Sequence, residues 1–161
     1  MDSSSTSRRL QQELESYSND PCELISAGLV GNDLFHWQAT LLGEQSSPYA
    51  NGLFFIDIQF GSSFPSNPPS IQCKTKVFHP NILLKDGTIH INDMLSGEWL
   101  PSTTMKEVFQ SLSVLFYTPK VAKNDSTPQS NICNPEMALL FTKNRSTFNE
   151  YAMDWTKQYA I

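Results

Sequence analysis

Apolar and polar residues recur with a helical period at the start of the chain. Three apolar residues follow an i, i+4, i+7 spacing: Leu10, Leu14 and Tyr17. This pattern predicts an amphipathic helix from about Arg8 to Ser18, with Ser7 as a possible N-cap. Asp20-Pro21 is expected to end the helix, because proline cannot continue it.

The next part of the chain favours strands. Residues 34–42 and 53–60 are rich in aromatic and aliphatic side chains, and a cluster of Gly, Ser, Pro and Asn separates them. This is typical of successive strands in an antiparallel meander, and residues 71–76 form a weaker third candidate. Residues 76–100 follow neither period, and so long an irregular stretch in a compact domain is usually functional.

Helical spacing returns in the second half of the chain. A wide apolar face predicts a mostly buried central helix, with Thr103 or Thr104 as its N-cap: Met105, Val108, Phe109, Leu112, Leu115 and Phe116. Residues 120–134 are polar and predict an exposed loop. Asn134-Pro135-Glu136 predicts a helix start with a capping amide, and that helix should run to about Lys143. A last helix is predicted from Thr147 to Ala160, with five residues along one side: Phe148, Tyr151, Ala152, Trp155 and Tyr159.

Length and charge narrow the class of protein. A chain of 161 residues suits one domain spanning 1–161, with a single core. The net charge of −5 and the scattered basic residues give no field for a phosphate backbone, so nucleic acid is not an expected partner. The sequence has no apolar run near the ~20 residues of a membrane helix, and its Ser-rich start lacks the apolar core of a secretory signal. We therefore expect no membrane partner and a soluble protein of the cytoplasm, the nucleus or both.

Other common site chemistries receive no support. Cys22, Cys73 and Cys133 are odd in number and widely spaced, which favours free thiols in a reducing compartment. The histidines and cysteines lack the short paired spacing of a zinc site, so no metal site is predicted. There is no Gly-X-Ser-X-Gly elbow and no phosphate-cradling glycine loop. No cofactor is expected.

Several motifs follow one another in a fixed order along the chain. The central ones are Val77-Phe78-His79-Pro80-Asn81-Ile82, Gly87-Thr88-Ile89-His90-Ile91 and Glu98-Trp99-Leu100-Pro101. Further matches lie on both sides: Phe35 to Thr40, Ser47-Pro48-Tyr49, Gly52 to Phe55, Phe64-Pro65, Pro68-Pro69 and Trp155 to Ala160. Together these motifs resemble those of ubiquitin-conjugating enzymes. The resemblance implies the α+β ubiquitin-conjugating fold: an N-terminal helix, a four-stranded antiparallel meander, an irregular active-site stretch, a central helix and two C-terminal helices.

His90 stands where the family carries its catalytic cysteine. Imidazole is a poor carrier in place of a thiolate, because an acyl-imidazole would be lost to water before transfer. The spacings from Asn81 to Gly87 and from His90 to Trp99 are each one residue longer than in typical members. His90 is therefore interpreted as a tolerated polar residue. Two alternatives stay open: a nucleophile relocated to Cys133, just before a predicted helix start, or a His90 introduced in place of a native cysteine.

Asn81 and His79 could either take part in the transfer chemistry or hold the irregular stretch in place. The resemblance implies that Asn81 steadies the oxyanion of transfer or holds the active-site loop by hydrogen bonds. Without a cysteine only the second role remains. We therefore predict that His79 and Asn81 brace the irregular stretch through bonds between side chains and backbone.

The resemblance also implies positions for partners. Modifier-binding positions fall on Ser26, on a sheet face, and on Gln110 and Glu107 of the central helix, where the family often has an aliphatic residue and a lysine. The ligase-binding or partner-binding positions are Ser66, where an aromatic is usual, and the retained Leu100 and Pro101. Basic positions that meet the activating enzyme fall on Arg8 and Arg9, although solvated charges would look the same.

Together these observations predict a catalytically inactive variant that binds ubiquitin, a ubiquitin-like protein, an active conjugating enzyme or a ligase without a covalent bond. The alternative is an active thioester-forming transferase. The two predictions differ over one covalent bond.

Overall fold

The computed structural model describes residues 3–95, 97–121 and 134–161. Five helices and five strands follow one another in these ranges. They are α1 (Ser3–Asn19), β1 (Ile25–Val30), β2 (Asp33–Leu42), β3 (Leu53–Gln59), β4 (Ser70–Cys73), β5 (Thr88–Ile89), α2 (Ile91–Met94), α3 (Met105–Tyr117), α4 (Pro135–Lys143) and α5 (Arg145–Tyr159). No helix in these ranges is long and apolar enough to cross a membrane.

The strands form one antiparallel sheet in the order β1-β2-β3-β4-β5. The predicted α+β class and the meander are confirmed, but the predicted count of four strands was one too low. The missed strand β5 has two residues, Thr88–Ile89, which is too short to show a period. β4 ends at Cys73 rather than at residue 76, and the Thr75 hydroxyl oxygen accepts a hydrogen bond from Phe55 N at 2.9 Å.

The core lies between one face of the sheet and the central helix α3. Trp37, Ala39, Phe54, Ile56 and Ile58 point into it from β2 and β3 and are completely buried. All six apolar residues predicted for the central helix are buried on α3. Thr104 is the N-cap of α3, in a capping box with Glu107, so the second of the two predicted caps is correct.

The first helix is longer than predicted. α1 begins at Ser3, so Ser7 lies inside the helix and is not its cap. The Thr6 hydroxyl is buried and donates to Phe64 O at 2.9 Å, which ties the first turns of α1 to the loop after β3. The end of α1 at Asn19 agrees with the stop predicted at Asp20-Pro21.

The C-terminal helices start close to the predicted positions. α4 begins at Pro135, but the Asn134 side chain makes no capping bond, which corrects the prediction of a capping amide. Instead Asn134 Nδ2 donates to His79 O at 2.8 Å and to Ile82 O at 2.6 Å. α5 begins at Arg145, two residues before the prediction, and is capped by Asn144, whose Oδ1 accepts from Thr147 N at 3.3 Å.

Candidate functional site

The His79 side chain is completely buried and joins two parts of the chain. Asn81 N donates to His79 Nδ1 at 3.0 Å, so the ring proton must sit on Nε2, which donates to Leu115 O at 2.8 Å. Both ring nitrogens are thus used by backbone groups. Burial lowers the pKa of His79 to about 4, although the hydrogen bonds to backbone carbonyls act in the opposite direction. The imidazole is neutral at pH 7 and is not placed to act as a base toward solvent.

The Asn81 side chain is likewise completely buried and holds the chain after α3. Its Nδ2 donates to Lys120 O at 2.9 Å, and its Oδ1 accepts from Lys120 N at 2.9 Å. This two-way bond fixes the Lys120 backbone against the His-Pro-Asn turn. Lys120 was not singled out from the sequence, because its partner lies 39 residues away.

Two further groups complete this brace around residues 78–82. Tyr49 Oη donates to Phe78 O at 2.6 Å, and Asn134 N donates to Pro80 O at 3.0 Å. Tyr49 is buried, and burial raises its pKa well above the usual value. The irregular stretch therefore has a fixed path wherever it passes these groups.

His90 lies at the surface, directly after β5. It is the N-cap residue of the short helix α2, has an extended backbone, and makes no side-chain capping bond. The turn before β5, which leads to His90, contains Gly87 with φ +80°. A Cβ on residue 87 would lie 2.0 Å from Cys73 O. At the other end of α2, Lys120 Nζ donates to Met94 O at 3.3 Å and to Leu95 O at 3.4 Å. A cation at these carbonyls suits the negative end of a helix.

The two described thiols differ in burial. Cys73 is buried in β4, and burial raises the pKa of its thiol to about 12. Cys22 is half-buried beside the start of α3, where its Sγ lies 3.9 Å from Lys106 O. Cys133 lies outside the described residues. Within the described ranges, no group of three or more His, Cys, Asp or Glu side chains could hold a metal ion.

Two loops with predicted partner positions are joined by Trp99. Its Nε1 donates to Pro65 O at 2.8 Å, so the loop with Ser66 and the loop with Leu100-Pro101 lie side by side. Ser66, Leu100 and Pro101 are exposed, and Leu100 has 56% of its surface accessible. These loops offer one exposed apolar side chain, Leu100, and a small hydroxyl at Ser66, and binding of a ligase there stays a prediction.

Arg8 and Arg9 differ in their surroundings. Arg8 is exposed, whereas Arg9 Nη1 donates to Pro101 O at 2.7 Å and its Nη2 donates to Thr103 O at 2.9 Å. Arg9 also pairs with Glu13, whose Oε1 accepts from Met105 N at 2.6 Å. Arg9 is therefore committed to holding the loop before α3, a role that helical spacing alone could not reveal.

The predicted modifier-binding positions occupy two separate surfaces. On α3, Gln110 is exposed, while the Glu107 carboxylate accepts from Thr104 N at 3.0 Å in the capping box. On the outer sheet face, Ser26 of β1 is exposed and pairs with Thr40 of β2. Three large apolar side chains on the same face are also exposed, by 38 to 44%: Leu42, Leu53 and Phe55. This apolar patch could not be predicted from the sequence, because Leu42, Leu53 and Phe55 lie in segments that also supply the core.

Comparisons with known proteins agree with this geometry. The family described as "Ubiquitin-conjugating enzyme" matches residues 9–156. A Plasmodium yoelii protein described as a candidate ubiquitin conjugating enzyme has a similar structure, with a TM-score of 0.79 and 31% identity over 94% of this chain and 93% of that one. The E2 domain of a ubiquitin conjugating enzyme from Toxoplasma gondii gives a TM-score of 0.77 and 28% identity, over 96% of this chain and 98% of that one.

Proposed function

The chain belongs to the ubiquitin-conjugating enzyme family, and we propose that it is a variant without thioester chemistry of its own. In this proposal it binds ubiquitin, a ubiquitin-like protein, an active conjugating enzyme or a ligase without a covalent bond. The proposal is carried by His90, which the motif resemblance assigns to the family's cysteine position and which is exposed at the start of α2.

The chemistry of the carrier supports this reading. A conjugating enzyme needs a thiolate that attacks near pH 7 and a thioester that survives until an amine arrives. An acyl-imidazole formed on His90 would be exposed to water on the surface and would hydrolyse instead. Cys73 cannot take over, because its thiol is buried with a pKa raised to about 12.

The Asn81 environment fits a role in holding the loop. Both atoms of its amide group bind the Lys120 backbone, at 2.9 Å each, which leaves the amide facing the interior of the brace. One of the two Nδ2 hydrogens is thereby committed to Lys120 O. The bracing role proposed for Asn81 and His79 does not require a cysteine.

The outer sheet face supports non-covalent binding. Ser26 and Thr40 form a small, flat centre, and the exposed Leu42, Leu53 and Phe55 lie along the neighbouring ladder positions. Exposed apolar side chains grouped on one sheet face are a common mark of a protein-binding surface. We place the modifier-binding surface here, with Gln110 of α3 as a second position.

The decisive experiment is a charging assay with activating enzyme, ATP and ubiquitin, resolved on a non-reducing gel. The wild-type chain should give no adduct, and His90→Cys serves as the matched variant that restores the family residue. A reducible wild-type adduct that disappears with Cys133→Ala would contradict the proposal and establish a relocated nucleophile. If His90→Cys alone charges efficiently, the remaining machinery is intact and the single residue accounts for the missing chemistry.

Binding is tested separately by titrating the isotopically labelled chain with ubiquitin and following amide shifts. Shifts should centre on β1 to β3, and Ser26→Arg should abolish them, because a long cation there would block the flat centre. Gln158→Arg, on the exposed side of α5, is the matched control. Shifts elsewhere, or equal effects of the two variants, would refute the assignment of this face.

A further inference from the structure

A basic groove lies beside the turn that leads into β5. It has a volume of about 300 Å³ and runs between the end of β4 and the turn at residues 82–87. Three lysines line it, together with an exposed leucine and one carboxylate: Lys74, Lys76, Lys85, Leu84 and Asp86. Because the same turn continues through Gly87 into β5, a segment bound here would lie close to position 90.

The positive charge of the groove is only partly offset within the described part of the chain, where Lys85 interacts electrostatically with Asp86 and Lys74 with Asp57. None of the ion pairs formed there involves Lys74, Lys76 or Lys85. Asp86, the only carboxylate in the lining, accepts a hydrogen bond from Thr88 N at 2.9 Å. Asp57, on the neighbouring strand β3, is also bound by His36 Nε2 and by Gln59 Nε2. The groove is therefore a basic region on a chain whose net charge is −5.

Two of the three ammonium groups are held in place. Lys74 Nζ donates to Gln72 Oε1 at 3.0 Å. Lys76 Nζ lies 4.9 Å from the ring centres of both Trp155 and Tyr159, which fixes the lysine stem against α5. Ordered cations lose less side-chain entropy on binding an anion than free surface lysines do. Lys85 remains exposed on the turn.

We propose that this groove binds an extended acidic segment of a partner protein, with carboxylates against Lys74 and Lys85 and an apolar side chain against Leu84. Leu84, which precedes Lys85 in the lining of the groove, has 49% of its surface exposed, and this suits an apolar residue next to acids. A protein segment fits better than nucleic acid, because the lining includes no aromatic ring on which a base could stack. The inference does not depend on whether position 90 carries out chemistry.

The test uses the full chain and a fluorescein-labelled peptide of sequence Asp-Glu-Leu-Asp-Glu, followed by fluorescence anisotropy at low salt. The matched ligand is Asn-Gln-Leu-Asn-Gln, which has the same shape without charge. The test variant is Lys74→Glu with Lys85→Glu, and the control with the same change in net charge is Lys143→Glu with Lys157→Glu. Lys76 is left unchanged, because its ammonium packs on two rings of α5.

The acidic peptide should bind the wild-type chain, and the Lys74/Lys85 variant should weaken binding about tenfold, as two reversed exposed charges would give. The control pair should change binding less than about twofold. Equal weakening by both pairs would show a response to net charge alone and would overturn the proposal. Binding of the uncharged peptide with equal strength, or tighter binding of an oligouridine, would overturn it as well.

Discussion

Acidification should destabilise this protein through His79. The neutral ring is completely buried, with Nδ1 accepting from Asn81 N and Nε2 donating to Leu115 O. A second proton would have to bind at Nδ1, which already accepts a hydrogen bond from Asn81 N. Protonation would break that bond and would leave the new N–H facing a donor. Burial therefore lowers the pKa of His79 in the folded state from 6.5 to about 4.

The sign and size follow from proton linkage. Because the folded-state pKa is the lower one, the unfolded chain takes up a proton first as the pH falls through 6.5. The contribution to stability is present above that pH and is lost as the pH falls toward 4. Between pH 7 and pH 5 the two pKa values correspond to a loss of about 2 kcal/mol in the free energy of unfolding.

The assay is urea unfolding at pH 7 and pH 5 for the wild type, His79→Gln and His90→Gln. His90 is exposed, so His90→Gln should keep the full loss on acidification, whereas His79→Gln should show about 2 kcal/mol less of it. Equal losses in the wild type and His79→Gln would refute the reasoning. If His79→Gln does not fold, titration of the His79 ring by NMR in the wild type gives the same answer, since an ordinary pKa near 6.5 would contradict the prediction.

Three further predictions concern the turn before β5, the brace and the buried thiol of β4. Gly87→Ala should destabilise the fold by more than about 2 kcal/mol, because φ is positive at this residue and the new Cβ would lie 2.0 Å from Cys73 O. The control is Gly61→Ala, which should change the midpoint of chemical unfolding little, because a Cβ there meets open space. Asn81→Ala should cost about 2 to 4 kcal/mol in chemical unfolding, because it leaves the Lys120 N–H and carbonyl without the partner they have now. Cys73 should resist iodoacetamide at pH 8 until the protein is unfolded, because burial raises the pKa of its thiol to about 12; rapid labelling of the native chain at this residue would contradict the burial.

The elements that could be predicted from the sequence are those with a long hydrophobic period. All six buried residues of the central helix α3 belong to the apolar face that the sequence pattern predicts. β5, with two residues, has no period to detect. The predicted start of α1 is too late, because Ser7 satisfies a local capping rule. The helix extends past it to include Thr6, whose buried hydroxyl binds Phe64 O, 58 residues away.

Asn134 shows why local rules fail near the site. Its sequence context, followed by Pro135 and Glu136, favours a capping amide. In the structure the amide donates instead to His79 O and Ile82 O, more than 50 residues away. These carbonyls lie in an irregular stretch outside the helices and strands, where side-chain donors supply hydrogen bonds that regular structure would otherwise provide. The motif could be predicted, but its partners could not.

The brace and the nucleophile position are separate parts of this fold. The described hydrogen bonds that hold residues 78–82 end on Tyr49, Leu115, Lys120 and Asn134, and none of them uses the side chain at position 90. A change of residue at an exposed turn therefore leaves this network intact. The outer sheet face with Ser26 and Phe55 rests on the β1 to β3 ladder and is likewise independent of position 90. The proposed absence of a thiol at position 90 would thus remove one covalent step while the surfaces proposed for binding keep their shape.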